Sequence, residues 1–218
     1  MLELLTLILL SAAQEAPPPC RYDDVSTLHT DYGDWQRSLL DPIYKLDADY
    51  APPDLVSAAG ANLAADKQVR ALMLEDLRAL VLAAEAAGVP LELQSAYRSY
   101  SYQERTFAYW TERNGAAEAL KTSARAGHSE HQLGTALDFR SAGGPAPWDL
   151  NDWAETPAGA WLAANAWRYG FVMSYPPGKT ELTCYSYEPW HYRYVGPEAA
   201  RAVVESGLSL REWLWHQQ

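Results

Sequence analysis

Two stretches of the chain gather side chains that can ligate a metal and move protons. Residues 129–138 read Ser129-Glu130-His131-Gln132-Leu133-Gly134-Thr135-Ala136-Leu137-Asp138, and residues 187–192 read Tyr187-Glu188-Pro189-Trp190-His191-Tyr192. His131, Asp138 and His191 would supply two imidazoles and a carboxylate. Zinc in catalytic sites takes three protein ligands of this kind and leaves one position for water. A metal so placed acidifies that water towards neutral pH. Glu188 lies three residues before His191, close enough to accept the proton, so one site would hold a metal, a nucleophile and a general base. An isolated Glu-x-x-His is a weak signal, and a lone histidine beside Trp and Tyr is more often a hydrogen-bonded core residue. The two stretches together are far more specific, because each supplies what the other lacks.

The elements that carry these residues are constrained by their spacing. On a straight strand Glu188 and His191 would point to opposite faces, so residues 188–190 cannot be regular strand. Pro189 removes a ladder donor and fixes φ, which allows a bend there. Gly134 and the β-rich run after it place His131 on a loop and Asp138 on a strand over 135–139. Upstream, Val69, Leu72, Met73, Leu77, Leu80, Val81 and Ala84 follow helical spacing and predict a helix over about 62–87, stopped by Gly88 and Pro90. Leu91 to Ser95 alternates as a short strand. A capping box at Ser101–Glu104 starts a helix to about Arg113. Residues 143–147 read as a surface loop. Thr156-Pro157 opens a helix that Gly170 closes, residues 171–175 and 185–195 read as strands, Pro197 opens another helix, and Ser209 caps a last short one. Residues 20–60 read as irregular. Helices and strands mix without βαβ alternation, which predicts an α+β fold around a small antiparallel sheet flanked by helices.

The chain has 218 residues, 48% of them hydrophobic, consistent with one domain and a real core. Mean hydropathy is −0.31, and no apolar run approaches the ~20 residues of a membrane helix, so no integral membrane span is expected. A net charge of −11 argues against a nucleic-acid partner, which needs a basic surface. Leu4 to Ala13 fits the apolar region of a secretory signal, although no basic residue precedes it. The expected organisation is therefore a signal over 1–16, a linker and N-terminal extension over 17–39, and a catalytic domain over 40–218. Pro17-Pro18-Pro19 before Cys20 argues against lipidation. Cys20 and Cys184, the only cysteines, would pair in an oxidising compartment or stand as unrelated thiols. Nine Trp and 14 Tyr imply an aromatic cleft or an aromatic core. Trp110, Trp148, Trp153, Trp161, Trp167, Trp213 and Trp215 read as packing residues, and Trp190, beside a candidate ligand, as a cleft wall.

Ser-x-His-x-x-Gly-x-Ala-x-Asp over 129–138 and Glu188-Pro189-Trp190-His191-Tyr192-Arg193-Tyr194-Val195-Gly196 together resemble the zinc D-alanyl-D-alanine carboxypeptidases of the VanY type, peptidase family M15. Ser95-Ala96-Tyr97-Arg98-Ser99 with Gln103, Tyr169-Gly170-Phe171 leading to Tyr175-Pro176, and Tyr50 to Leu55 also match. The resemblance covers about residues 40–215 and implies the hedgehog/D-Ala-D-Ala peptidase-like fold. It implies His131, Asp138 and His191 as zinc ligands and Glu188 as base. Arg98 would polarise the scissile carbonyl and hold the oxyanion, and Ser129 and Gln103 would bind substrate. An oxyanion needs positive charge aimed at it, which a cation in the cleft of so acidic a chain would supply. Arg125, Arg140 and Arg193 are rival carboxylate binders, Arg193 with an acid across the sheet as its other expected partner. Ser174 stands where relatives often carry a basic residue, and Cys184 where glycine is common; both departures bear on substrate preference. His128 reads either as a group behind the ligands or as an exposed loop histidine. The expectation is a secreted or cell-envelope monomer that removes the C-terminal D-alanine from peptidoglycan stem peptides. L,D-carboxypeptidase activity on tetrapeptide stems, cell-wall endopeptidase activity and a zinc-stabilised binding module without turnover are the alternatives.

Overall fold

Alternating burial along two strands determines which side of the central sheet is core and which is site. The computed structural model describes residues 16–218, so nearly all of the expected signal segment lies outside the described residues. In chain order the strands are β1 (Val25–Ser26), β2 (Tyr44–Lys45), β3 (Leu55–Ser57), β4 (Gln68–Arg70), β5 (Leu91–Ser95), β6 (Ala136–Ser141), β7 (Phe171–Met173) and β8 (His191–Tyr194). The helices are α1 (Leu74–Ala86), α2 (Tyr100–Asn114), α3 (Ala116–Thr122), α4 (Pro157–Asn165), α5 (Thr180–Thr183), α6 (Pro197–Ser206) and α7 (Leu210–Trp215). The main sheet is antiparallel throughout, in the order β5-β6-β8-β7. Two minor two-stranded sheets pair β1 with β2 and β3 with β4. The fold is α+β, as the mixed pattern of elements predicts.

Leu137 and Phe139 of β6, with Tyr192 and Tyr194 of β8, face a core closed by Leu77, Leu80, Val81 and Ala84 of α1 and by Leu162 of α4. Burying each large side chain of this set contributes roughly 1.5–3 kcal/mol. By the two-residue period of a strand, Asp138 and His191 lie on the other face. Trp153 is fully buried in the core, as its packing assignment requires. A second cluster joins Leu39 and Val172 to Val203, Leu210 and Leu214 of α6 and α7.

Several boundaries differ from the sequence expectation. The helix expected from residue 62 starts at Leu74, because Val69 is taken into β4 opposite Val56. Val69 and Met73 are buried in the core nonetheless, so the helical spacing reflected burial rather than helix along its first third. The N-cap of α2 is Ser99, whose side chain accepts from the Tyr102 amide, rather than Ser101. The strand expected over 185–195 is confined to β8, and residues 188–191 form a turn closed by the His191 amide donating to the Glu188 carbonyl. Gly170 sits at φ 87°, where a Cβ would lie 2.7 Å from the Tyr194 ring, so only glycine fits.

The segment ahead of residue 40 is fastened to the domain at several points. Cys20 and Cys184 are disulfide-bonded across a sequence separation of 164. Cys184 adopts φ 68°, the left-handed region that favours glycine. Arg211 is buried, pairs with Asp41 at 2.6 Å and donates to the carbonyls of Leu182 and Pro18. His128 is buried rather than exposed: its ring nitrogens lie 2.7 Å from the Asp41 carbonyl and 3.0 Å from Asp24 Oδ1. Arg125 pairs with the same Asp24.

Arg211→Ala strands the Asp41 carboxylate in the interior, and urea unfolding is expected to show a loss of about 3–5 kcal/mol. His128 supplies a pH test. Burial lowers its pKa against the raising effect of Asp24, so below about pH 6.5 the unfolded chain takes up a proton that the folded chain resists. The stability difference between the zinc-loaded wild type and His128→Gln should therefore shrink as pH falls from 8 to 5; a difference that grows would refute the buried neutral imidazole.

Candidate active site

Register in the main sheet builds the first half of the site. Asp138 of β6 sits directly opposite His191 of β8, and Asp138 Oδ1 lies 3.1 Å from His191 Nδ1. His131 arrives from a 3₁₀ turn over Glu130–Leu133. That turn starts at Ser129, whose hydroxyl accepts from the His131 amide, and ends at Gly134 with φ 72°. Leu133 anchors it among Leu40, Leu46 and Tyr50, and Gln132 donates to the carbonyls of Asp47 and Tyr50. His131 Nδ1 donates to the Ala96 carbonyl at 2.7 Å, which leaves Nε2 directed at Asp138 Oδ2, 3.3 Å away. The two imidazole rings meet edge to face at 4.9 Å.

One ligand atom from each of His131, Asp138 and His191 lies within 4.8 Å of the others, and all three residues are buried. His131 Nε2 is a buried nitrogen without a hydrogen-bond partner, a state that costs free energy unless something occupies it. Two imidazole nitrogens and one carboxylate oxygen match the donor preference of zinc, and the residues therefore fit that ion.

Charge in the cluster is tightly coupled. Burial opposes ionisation of Asp138, but His131, His191 and Arg98 together hold its carboxyl well below the usual range. Burial likewise disfavours charge on His191, yet the hydrogen bonds it donates to Asp138 and Glu130 outweigh it and lift the pKa to about 10. Burial, aided by Arg98, brings His131 down to about 4. Glu188 moves the other way: burial, reinforced by Asp138 and Glu130, pushes its carboxyl up to about 8. A metal at His191 Nδ1 requires loss of the proton there, so metal affinity rises with pH until that proton is gone.

The turn at 188–191 brings Glu188 Oε2 to 3.9 Å from His191 Nδ1, so the bend required at Pro189 is present. Arg98 follows β5, and its guanidinium lies 3.2 Å from Ser95 Oγ and 3.5 Å from Asp138 Oδ2. Glu188, Arg98 and Ser129 all line a cleft of about 640 Å³ together with His131, Asp138 and His191. Gln103 does not reach it. Its side chain is fully buried and donates to the Ala124 carbonyl, so it braces the segment before Ser129 instead of facing substrate. Ser174 is also absent from the cleft wall: it is buried behind His191, with its hydroxyl donating to Glu130 at 2.6 Å. The rival arginines are engaged elsewhere: Arg125 with Asp24, Arg140 with Glu92 across the β5–β6 pair, and Arg193 with Glu130.

The matching family pattern is that of VanY, D-alanyl-D-alanine carboxypeptidase, which covers residues 66–197. The chain belongs to the VanY family. A putative carboxypeptidase of Bacillus subtilis strain 168, YodJ, is 34% identical over 81% of this chain and 66% of its own length. A D-alanyl-D-alanine carboxypeptidase of Enterococcus faecalis is 40% identical, and the match spans 52% of its length. The chain thus spans about half to two thirds of these relatives. Among solved structures, a mutant of the vancomycin-resistance D,D-pentapeptidase VanY in complex with Zn(II) superposes with TM-score 0.69 at 33% identity, covering 83% of this chain and 99% of that one. The LD-carboxypeptidase LdcB superposes equally well, with TM-score 0.69 at 33% identity over 82% of this chain and 86% of its own.

Two groups escaped the sequence reading. Trp110 and Trp148 are wall residues of the cleft rather than packing residues. They continue from Trp190 in edge-to-face contacts of 6.1 and 6.2 Å, and Trp148 stays 40% exposed. No periodicity marks such residues, because they come from three separate segments. The other group is Glu130 with Ser174 and Arg193; the one available signal was a carboxylate lodged between two residues of the motif.

Asp138→Asn keeps the shape and removes the charge. It is expected to weaken zinc binding, read by competition with a chromophoric chelator, by more than the ~10–100-fold typical of losing an outer hydrogen-bond partner. Unchanged affinity would show that the metal lies elsewhere.

Proposed function

We propose that this VanY-family chain is a zinc-dependent D,D-carboxypeptidase that removes the C-terminal D-alanine from peptidoglycan stem peptides. The observation that carries this reading is the convergence of Glu188 and Arg98 on one cluster of His131, Asp138 and His191 inside a single cleft. A binding module has no need of a buried carboxylate and a cation beside three metal donors. Bound zinc supplies Lewis-acid polarisation and lowers the pKa of a water. Glu188, whose pKa burial has raised, takes the proton of the attacking water and returns it to the leaving amine. A carboxyl group within reach of both the water and the leaving amine can do both. Arg98 directs its guanidinium at the oxygen on which charge develops. Ser129, held at the start of the 3₁₀ turn, offers its hydroxyl to the peptide backbone. The aromatic wall of Trp190, Trp148 and Trp110 gives the rest of the stem an apolar surface.

The likeness to LdcB favours a second reading, L,D-carboxypeptidase action on tetrapeptide stems. The disulfide between Cys20 and Cys184 supports work outside the cytoplasm, where such bonds persist.

Mass spectrometry of defined stems incubated with the zinc-loaded chain separates the readings. Loss of one alanine from a pentapeptide, with the tetrapeptide left intact, is the expected result; conversion of tetrapeptide to tripeptide alone would establish the L,D reading, and cleavage inside the stem an endopeptidase. Glu188→Ala is expected to lower kcat by at least about 10²-fold with zinc stoichiometry unchanged. Loss of zinc from that variant would make Glu188 a ligand.

A further inference from the structure

We infer that Glu130 is the positioning residue that orients His191 for the metal, through a buried carboxylate–imidazole pair on the side of the ring away from the cleft. This rests on the zinc site proposed above. The two histidines present opposite nitrogens to the cluster. His131 uses Nε2 and is held from behind by a backbone carbonyl, that of Ala96. His191 turns Nδ1 to Asp138 and Glu188, and its Nε2 lies 2.9 Å from Glu130 Oε2. A carboxylate can only accept there, so Nε2 keeps its hydrogen, and Nδ1, on the side of Asp138 and Glu188, is the nitrogen that can give up its own proton to a metal. A partner of this kind sets both the tautomer and the tilt of a ligating imidazole and raises its basicity.

Glu130 is itself held rigidly. It is 4% exposed. Oε2 also accepts from Ser174 Oγ at 2.6 Å, and Oε1 accepts from Arg193 Nη1 at 3.1 Å. Arg193 is fully buried and anchored by its second donor to the Trp35 carbonyl. Three hydrogen bonds from three directions leave the carboxylate one orientation. The placement follows from the chain: Glu130 is the residue between Ser129 and His131, so the turn that brings one ligand to the site also carries the support for the other. Ser174, next to the end of β7, supplies an uncharged hydrogen bond, so Arg193 is the only arginine or lysine paired with Glu130 among the described residues.

A purely structural role, as partner to Arg193, makes a different prediction, because the metal affinity of the folded protein would then be untouched. The test measures zinc affinity of the full chain by chelator competition, with the absorption spectrum of the cobalt-substituted protein as a second readout of ligand geometry. Glu130→Gln keeps the side-chain shape and one acceptor oxygen but loses the charge. Its zinc affinity is expected to fall by about 10–100-fold with an altered cobalt spectrum, and Glu130→Asp to recover part of the loss. Ser174→Ala, which keeps the carboxylate and removes one restraint, should show a smaller loss. Glu130→Gln that folds, binds zinc within twofold of wild type and keeps the cobalt spectrum would overturn the inference. Failure of the wild-type chain to bind zinc at all would instead defeat the metal-site reading on which it rests.

Discussion

The pairing of β6 with β8 is the constraint on which the site depends. Asp138 faces His191 only in one register. A slip of either strand by one residue would turn its own member of the pair to the core and bring Leu137 or Tyr192 to the cleft side. That slip is prevented by the hydrophobic face of the same strands, where Leu137, Phe139, Tyr192 and Tyr194 pack against α1 and its neighbours. Core packing and metal geometry are therefore two faces of one sheet. The core stabilises a register that the ligands by themselves could not hold, since buried carboxylates and imidazoles cost free energy to desolvate.

Charge balance is the second requirement. Glu130, Asp138 and Glu188 lie close together with His131, His191, Arg98 and Arg193, all of them buried except Glu188 and Arg98, which border the cleft. Buried acids are tolerated only when paired. Glu130 is strongly paired, and its pKa falls to about 2 despite burial. Glu188 has the weaker company and moves up to about 8. Two carboxylates that approach the same histidine, Glu130 at 2.9 Å and Glu188 at 3.9 Å from the His191 ring nitrogens, are thus shifted in opposite directions. The difference comes from the partners each one has, not from residue type.

The N-terminal segment links the outer parts of the site. It is tied to residue 184, just ahead of the cleft wall at Tyr185–Tyr187, by the disulfide. Through Asp24 it is tied to Arg125 and His128, just ahead of the ligand turn. Both attachment regions lead into segments that carry functional side chains, so the strap restrains the two loops that the sheet does not hold directly.

How much of this the sequence could reveal depended on distance along the chain. Local signals were legible: the turn-forming Gly134 after His131, the bend implied by Pro189, the strand at Leu91–Ser95 and the caps at Thr156 and Ser209 each reflect interactions within a few residues. The family and the residues that form the cluster of metal donors, His131, Asp138 and His191, were legible too, because residue types and short spacings carry them. The helix expected from residue 62 failed where β4 pairs with β3, a contact that periodicity cannot distinguish from a helical face. Gln103 was misplaced, and the partners of Ser174 and His128 were not legible, for a similar reason: each is satisfied by a partner 21, 44 or 87 residues away. The aromatic wall and the Glu130 support likewise arise only when segments from different parts of the chain meet. The sequence by itself determined which chemical groups are present and the local turns that present them; only the tertiary structure decided which groups become neighbours and how their charges are tuned, because burial and long-range pairing exist nowhere in a short window of residues.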